Sequence, residues 1–252
     1  MSFALYSQNL LDQSVLTASS ENALFPLSNI KDYRRSKVFR SLSNNDSIVF
    51  DFVETSEVDS IFLIADKRAG FGFSTVTFQF NGTNSWGSPA ATETVTFSTE
   101  FGVGFKEFAS AHSYRFCRMV LVSTLGYCEV SSIFIGKKQN ISRGINFGWT
   151  YKDTEIMTQK SNRYGQLFTD LISRQRIINC AMNYLDKDDL DAFFVTYDQC
   201  GESKPFFIKL GCENMTNDYR RFSGMFFFQD IPTISNSSFN KYSVSFILKE
   251  AM

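Results

Sequence analysis

The sequence predicts a mainly β protein: a β-sandwich first, then a second β-rich domain carrying one short packed helix. Three observations lead there. Aromatic residues are abundant, with 28 Phe and 10 Tyr among 252 residues, and aromatic and β-branched side chains favour strands. Short apolar or alternating runs recur at loop-spaced intervals through residues 47–135, the spacing of a sandwich. One later run changes to helical spacing after a cluster of aspartates.

Residues 47–53 (SIVFDFV) read as a strand with an acidic break at Asp51, and residues 59–64 (DSIFLI) as a buried strand. Residues 74–80 (STVTFQF) alternate. Val76, Phe78 and Phe80 point one way, Thr75, Thr77 and Gln79 the other, the period of a half-buried strand. Residues 81–89 (NGTNSWGSP) are dense in turn formers and read as a loop. A short strand follows at 93–98, a long one at 114–123 (YRFCRMVLVS) and a last one at 128–135 (CEVSSIFI), ending at Gly136. Residues 137–143 (KKQNISR) are polar and lack apolar periodicity. The domain boundary is placed there, giving domains 1–138 and 143–252.

In the second domain, residues 174–184 (RQRIINCAMNY) alternate as a strand. Asp186 then suits a helix N-cap, and Asp188, Asp189 and Asp191 suit the positive end of the helix dipole. Leu190, Phe193, Phe194 and Tyr197 follow the i, i+3, i+4, i+7 spacing of one apolar stripe, and Gly201 suits the stop. Residues 204–210 (KPFFIKL), 219–229 and 241–249 (KYSVSFILK) read as further strands.

Composition narrows the function. The apolar fraction is 43%, charged residues make up 20% and Pro numbers 4, which excludes a disordered chain, a collagen and a coiled coil. Lys+Arg is 25 against Asp+Glu 26, a net charge of -1. Neither half is basic, so a nucleic-acid partner, which needs clustered cations, is disfavoured. No apolar run approaches the roughly 20 residues of a membrane span; the patch at 225–228 has four. The N-terminus has no basic residue before its apolar ones, so a soluble, cytosolically made chain is expected. Five Cys without a CxxC spacing predict free, mostly buried thiols.

No constellation marks an enzyme. The aspartates from Asp186 to Asp191 invite calcium, but an EF-hand loop starting there needs Gly and Glu where Asp191 and Tyr197 stand. Helix capping explains them better. The glycine pairs at 70/72 and 102/104 lack the Lys and the strand-to-helix context of a phosphate loop. The one His, His112, has no nucleophile motif around it and reads as a surface residue. A pair of glycosidase carboxylates does not stand out among the 26 acids. No catalytic residue, metal or cofactor is expected. Trp86 is the most suggestive residue. It either stacks on a sugar or anchors a protein contact, or it folds back over the sandwich edge. Arg68, Phe71 and Phe73 follow Ile64 and are candidates for the same rim.

Residues 10–138 resemble a discoidin-like (galactose-binding-like) jelly roll. Three stretches carry this. Residues 22–41 (NALFPLSNIKDYRRSKVFRS) resemble the family's opening loop and its aromatic-x-Ser, with Phe39-Arg40-Ser41 where the family usually has Trp. Residues 47–64 resemble its paired strands, and residues 114–136 (YRFCRMVLVSTLGYCEVSSIFIG) its closing strands. Residues 143–252 resemble the tail-tube-like domain of phage minor or distal tail proteins. The matching stretches are 174–182, 186–197, 201–210 (GESKPFFIKL), 219–222 (YRRF) and the closing KYSVSFILKEAM. Residues 144–171 have no counterpart.

These resemblances imply a split β-barrel after the jelly roll and a structural protein near the distal end of a phage tail. The implied location is the virion, with synthesis in the host cytoplasm. The implied partners are further copies in a hexameric or trimeric ring, tail-tube and tail-tip proteins, and a cell-surface glycan at the jelly roll. Asp186 and Asp189, with Arg220 and Arg221, are candidates for a contact across the subunit boundary. The alternative is a stand-alone carbohydrate-binding protein without ring assembly.

Overall fold

The structure, a computed structural model, describes residues 2–34, 36–64, 72–98, 102–146, 148–211 and 222–251. Its first strands are β1 (Ser2–Asn9), β2 (Val15–Ala18), β3 (Phe39–Arg40), β4 (Asn45–Ile64), β5 (Thr75–Asn81), β6 (Ala91–Ser98), β7 (Val103–Val122), β8 (Glu129–Val130) and β9 (Ser132–Asn140). Then follow β10 (Thr150–Ser161), β11 (Leu167–Leu185), helix α1 (Lys187–Cys200), β12 (Phe206–Gly211), β13 (Gly224–Phe228), β14 (Thr233–Ser238) and β15 (Lys241–Glu250). The fold is mainly β with one packed helix, as the composition predicts. Two compact units form, residues 1–140 with 207–224 and residues 141–206 with 225–252.

In the first unit β4 and β7 are the frame, each 20 residues long. The early half of β4 pairs with β2 and the late half of β7, and its late half pairs with β9 and the early half of β7. β5 extends the sheet beside β7, and β6 follows β5. Long strands that bend at irregularities can pass from one layer of a sandwich to the other. The bend in β4 is at Val53, whose φ is 71°, a rare conformation for a β-branched residue. The Asp51 carboxylate accepts its N–H at 2.9 Å. Residues 47–53 and 59–64 are therefore one strand across a kink, where the sequence reads two. The pairing resumes with Ser56 opposite Tyr114 and Val58 opposite His112.

Between the layers Ile48, Phe50, Ile61, Leu63, Val76, Phe78, Phe80, Val95, Met119 and Leu121 are buried together. Fully burying each such side chain contributes about 1.5–3 kcal/mol. Phe62 points the other way, into a ring cluster with Tyr6, Phe105 and Phe207 at 5.0–5.9 Å between centroids. This part of β4 is buried on both faces, which explains its unbroken apolar run.

The closing strand does not end at Gly136. β9 runs through it to Asn140, and Lys137, Gln139 and Asn140 pair with β1. A Cβ on Gly136 would lie 2.3 Å from the Gln8 carbonyl oxygen, so only glycine lets β1 approach here. Residues 137–140, read as linker, are thus strand; the ammonium groups of Lys137 and Lys138 pair with Glu57 and Glu107.

The domains are also not contiguous. Residues 207–224 belong with the first unit, because β12 pairs antiparallel with β1, Phe207 opposite Tyr6 and Gly211 opposite Ser2. A fragment of residues 1–140 alone should therefore melt well below the full chain or aggregate, since β1 would expose a bare edge and Tyr6 and Phe62 would lose Phe207. Thermal melts of the fragment and the full chain check this.

In the second unit β11 pairs with β10 on one side and β15 on the other. The far edge of β15 pairs with β13 and then β14. Helix α1 lays Phe193 against Phe228 and Phe246, at 5.8 and 5.4 Å. The helix begins where the sequence places it, with the Asp186 carboxylate accepting the Asp189 N–H at 3.1 Å, and stops at Gly201 with φ 51°. Its buried side is Asp189, Leu190, Phe193, Thr196 and Cys200, rotated slightly from the predicted stripe. The described strands of this unit form an open sheet and no closed barrel. β10 and β14 are left as its free edges, because no further described strand of the chain reaches them.

Candidate functional site

The loop between β5 and β6 is built by its own polar side chains. Asn81 donates to the Ser85 carbonyl at 2.7 Å and its Oδ1 accepts the Gly82 N–H at 2.9 Å. This turn returns Trp86 toward the outward face of β5 and β7. The Trp86 indole Nε1 donates to Asn84 Oδ1 at 2.8 Å, and the Arg118 guanidinium carbon sits 4.8 Å from the ring centroid. Arg118 in turn donates through Nε and Nη2 to Gln79 Oε1, at 2.9 and 2.5 Å. Burial pushes the Arg118 guanidinium below its usual range. The result is a half-buried indole pinned by a cation beside an amide, a small rigid patch able to offer an aromatic edge and N–H donors together.

The other predicted rim residues do not join it. Phe73 is buried, its ring edge-on to Phe97 at 5.2 Å; it fills the core because β5 starts immediately after it. Arg68 and Phe71 lie outside the described residues. Arg118 and Gln79, which do join Trp86, were not singled out. Their signal was present: Gln79 alternates against Phe78 and Phe80, and Arg118 alternates against Cys117 and Met119.

His112 is not a surface residue. It lies in β7, its Nε2 2.9 Å from Glu93 Oε1, while Lys106 Nζ is 2.6 Å from Glu93 Oε2. Phe80 and Phe108 flank the imidazole at 5.2 and 5.0 Å. Burial pushes the Glu93 carboxyl up, but Lys106 and His112 more than offset it, leaving it below its usual value. The imidazole is thus held by one carboxylate between two rings.

The Phe39-Arg40-Ser41 stretch is structural throughout. Phe39 is in the core. Arg40 lies between the rings of Phe25 and Tyr127, at 4.3 and 4.4 Å, and binds Glu129 at 2.6 Å. The Ser41 hydroxyl accepts the Cys128 N–H at 2.7 Å. Beside β2 runs an open groove of about 830 Å³, lined among others by Leu16, Ser20, Glu21 and Lys31. Both charges there are engaged: Glu21 accepts the Leu27 N–H and Lys31 donates to the Ser14 carbonyl.

Of the candidate subunit contacts, Asp186 is the helix cap. Asp189 is buried, its carboxylate accepting the Ser142 N–H at 2.7 Å and hydroxyl at 2.8 Å. That ties the start of the second unit to α1, so the carboxylate is spent inside the chain. Arg220 and Arg221 lie outside the described residues. Among the described residues no group of three or more His, Cys, Asp or Glu could hold a metal ion, and no helix is long and apolar enough to cross a membrane. Cys117, Cys128, Cys180 and Cys200 are buried; Cys212 is outside the described residues.

No protein-family model matches the sequence, and no curated protein does. Among solved structures, chitosan-binding module 1 of a chitosanase/glucanase from Paenibacillus sp. IK-5 is similar at 22% identity, over 52% of this chain and 99% of that one, with a TM-score of 0.41. A family 32 CBM from C. perfringens, in complex with galactose, is similar at 14% identity, over 53% and 98%, with a TM-score of 0.43. A Streptococcus pneumoniae fucose binding module is similar at 12% identity, over 52% and 95%, with a TM-score of 0.43. Each likeness spans about half of this chain.

Proposed function

We propose that the chain is a non-catalytic assembly protein. Its second unit joins copies into a ring, and its first unit is an outward recognition module for a protein or a glycan. One observation supports the ring: in the second unit β10–β11–β15–β14 is a four-stranded run of one sheet, with β13 beside β14 on β15, and β10 and β14 each keep a free edge among the described strands. A free edge is a pairing template. Each of these pairings is antiparallel, so β10 and β14 run in opposite directions. β14 lies level with residues 181–185 of β11 and β10 with residues 167–179, so β14 of one copy meets β10 of the next, antiparallel again, only where the strands tilt against the ring axis. Such a head-to-tail contact closes into a ring where the rotation between copies closes, and otherwise runs on as a helical filament. A position at the distal tail of a phage, stacked on tail-tube proteins, is supported by the sequence resemblance alone.

Negative-stain images and sedimentation of the purified chain over rising concentration test this. Closed rings are expected. A chain that stays monomeric at every concentration overturns the reading.

A second reading is a carbohydrate-binding protein without ring assembly. Glycan binding is the property of the similar modules, and on this chain the Trp86–Arg118–Gln79 patch favours it. Trp86→Ala should then abolish most binding on a glycan array. It should lower thermal stability only slightly, by about 0.5–1 kcal/mol for the lost cation–ring contact. Unchanged glycan binding in this variant would remove the patch from consideration.

A further inference from the structure

Gln79 and Arg118 belong to a row of side chains that crosses one face of the first unit. The registers set Thr92 of β6 opposite Gln79 of β5, and Gln79 opposite Arg118 of β7. Arg118 is opposite Val49 of β4, and Val49 opposite Thr17 of β2. Opposed residues of antiparallel strands share a face. It is the outward one, because the neighbours Phe78, Phe80, Cys117, Met119, Ile48 and Phe50 are buried. Four steps of about 4.8 Å make the row roughly 19 Å long.

Arg118 is the charge in this row, and it lacks a counter-charge. Arg34, Arg40, Arg115, Arg174 and Arg176 each meet a carboxylate. Arg118 is half-buried, yet its described acceptor is the neutral Gln79 Oε1, bonded by Nε and Nη2. Burial works against its charge, and among the described residues no carboxylate offsets it. Asp51, two positions along β4 from Val49, is already held by Arg115 at 2.8 and 2.9 Å. A guanidinium carries five N–H donors in a planar fork. Gln79 uses the edge formed by Nε and Nη2. The two parallel donors at the tip, one on Nη1 and one on Nη2, keep no described acceptor, and their spacing matches the two oxygens of a carboxylate.

We propose that this face binds an acidic glycan, whose sugar carboxylate bridges the tip of Arg118 while the sugar itself lies beside Trp86. The proposal rests on the glycan reading of the Trp86 patch and names its ligand class. The Arg118 guanidinium carbon is 4.8 Å from the indole centroid, so an anion at the tip brings its sugar next to that ring, which suits C–H groups. A glycan is chosen over an acidic peptide because the row ends in the exposed hydroxyls of Thr92 and Thr17. These exchange hydrogen bonds with sugar hydroxyls, whereas peptide and protein contacts are carried by apolar anchors seated in pockets.

The full chain is titrated with three carboxylate-bearing probes: an oligogalacturonate, a hyaluronan oligosaccharide and sialyllactose. Each is set beside a neutral counterpart: the methyl ester, the carboxyl-reduced oligosaccharide and lactose. At least one acid should bind tenfold or more tighter than its counterpart, the gain of a charge-assisted pair. Arg118→Gln and Arg118→Lys should both erase most of that difference, the lysine because it lacks the fork. Both should melt close to the parent. If neutral glycans bind the parent as tightly as acids, or Arg118→Gln keeps the preference, the acidic-glycan proposal fails and the glycan reading stands. If no probe binds, the proposal fails, and the glycan array of the parent judges the glycan reading separately. Polyglutamate binding as tightly as the best glycan overturns the proposal in favour of a peptide. Should a variant melt early, the comparison of acid with neutral probe on the parent decides alone.

Discussion

Phe228→Ala should lower the unfolding transition of the second unit by well over 10 °C. Phe228 is buried at the meeting point of α1, β12 and β15. Its ring lies 4.6 Å from Phe206, 5.5 Å from Tyr197, 5.8 Å from Phe193 and 5.9 Å from Phe246. Truncating a buried Phe costs about 3–5 kcal/mol through lost transfer energy and the cavity left behind. Here four rings lose their shared neighbour, which puts the loss at the upper end. Phe228→Leu keeps most of the volume and should recover the greater part. Calorimetry of the two variants checks the pair. A loss below about 1 kcal/mol for the alanine would mean that the helix is not held by this ring cluster.

Glu107→Gln should cost about 2–3 kcal/mol near neutral pH and should remove part of the acid sensitivity of the first unit. Glu107 accepts a hydrogen bond from the Tyr6 hydroxyl at 3.1 Å and pairs with Lys209 at 2.7 Å and Lys138 at 3.4 Å. Lys209 is only 15% exposed, so without Glu107 its ammonium stays largely buried with no carboxylate partner. Glu107 is itself about a quarter exposed, and water tempers the loss. Burial pushes the Glu107 carboxyl up, but Lys209, then Lys138 and Tyr6, more than offset it, so it titrates below its usual 4.5. Burial and the Glu107 charge push the Tyr6 phenol well above its usual range. A carboxyl depressed in the folded state contributes stability that is full above pH 4.5 and is lost as pH falls through the folded value. The melting temperature of the parent should therefore drop on acidification below about pH 4.5, and the variant should drop less. Equal acid slopes for the two would remove Glu107 as the source.

Much of the fold was legible where one physical rule governs alone. The alternation of residues 74–80 is β5, because one face meets the core and the other does not. The N-cap Asp186 and the stop at Gly201 bound α1 to within a residue. Other elements were hidden by competition between rules. β1 carries no clean alternation, since Leu5 and Tyr6 are both buried, and its pairing partners lie at residues 136–140 and 207–211. β10 shows no strand pattern in the sequence because its residues are polar or scattered apolar, mostly exposed, with no core face to impose a period.

The candidate site divides in the same way. Trp86 was visible as an aromatic in a turn-rich loop, yet its partners Arg118 and Gln79 are 32 and 7 positions away and meet it only through the β5–β7 register, Gln79 opposite Arg118. Asp189 was legible as a helix-dipole residue. That its carboxylate is taken up by Ser142 depends on where the chain enters the second unit.

The sequence by itself determined the mainly β class, the one capped helix, the absence of charge imbalance and the lack of any catalytic motif. These depend on local composition and spacing, which a strand or helix expresses wherever it lies. Only the tertiary structure decided that β12 returns to pair with β1, that Gly136 lies inside a strand, and that β10 and β14 each keep one edge unpaired among the described strands. Pairing between distant strands is a choice among partners with similar local patterns. It is made by which backbone edges, and which buried rings such as Phe62 and Phe207, can be satisfied together.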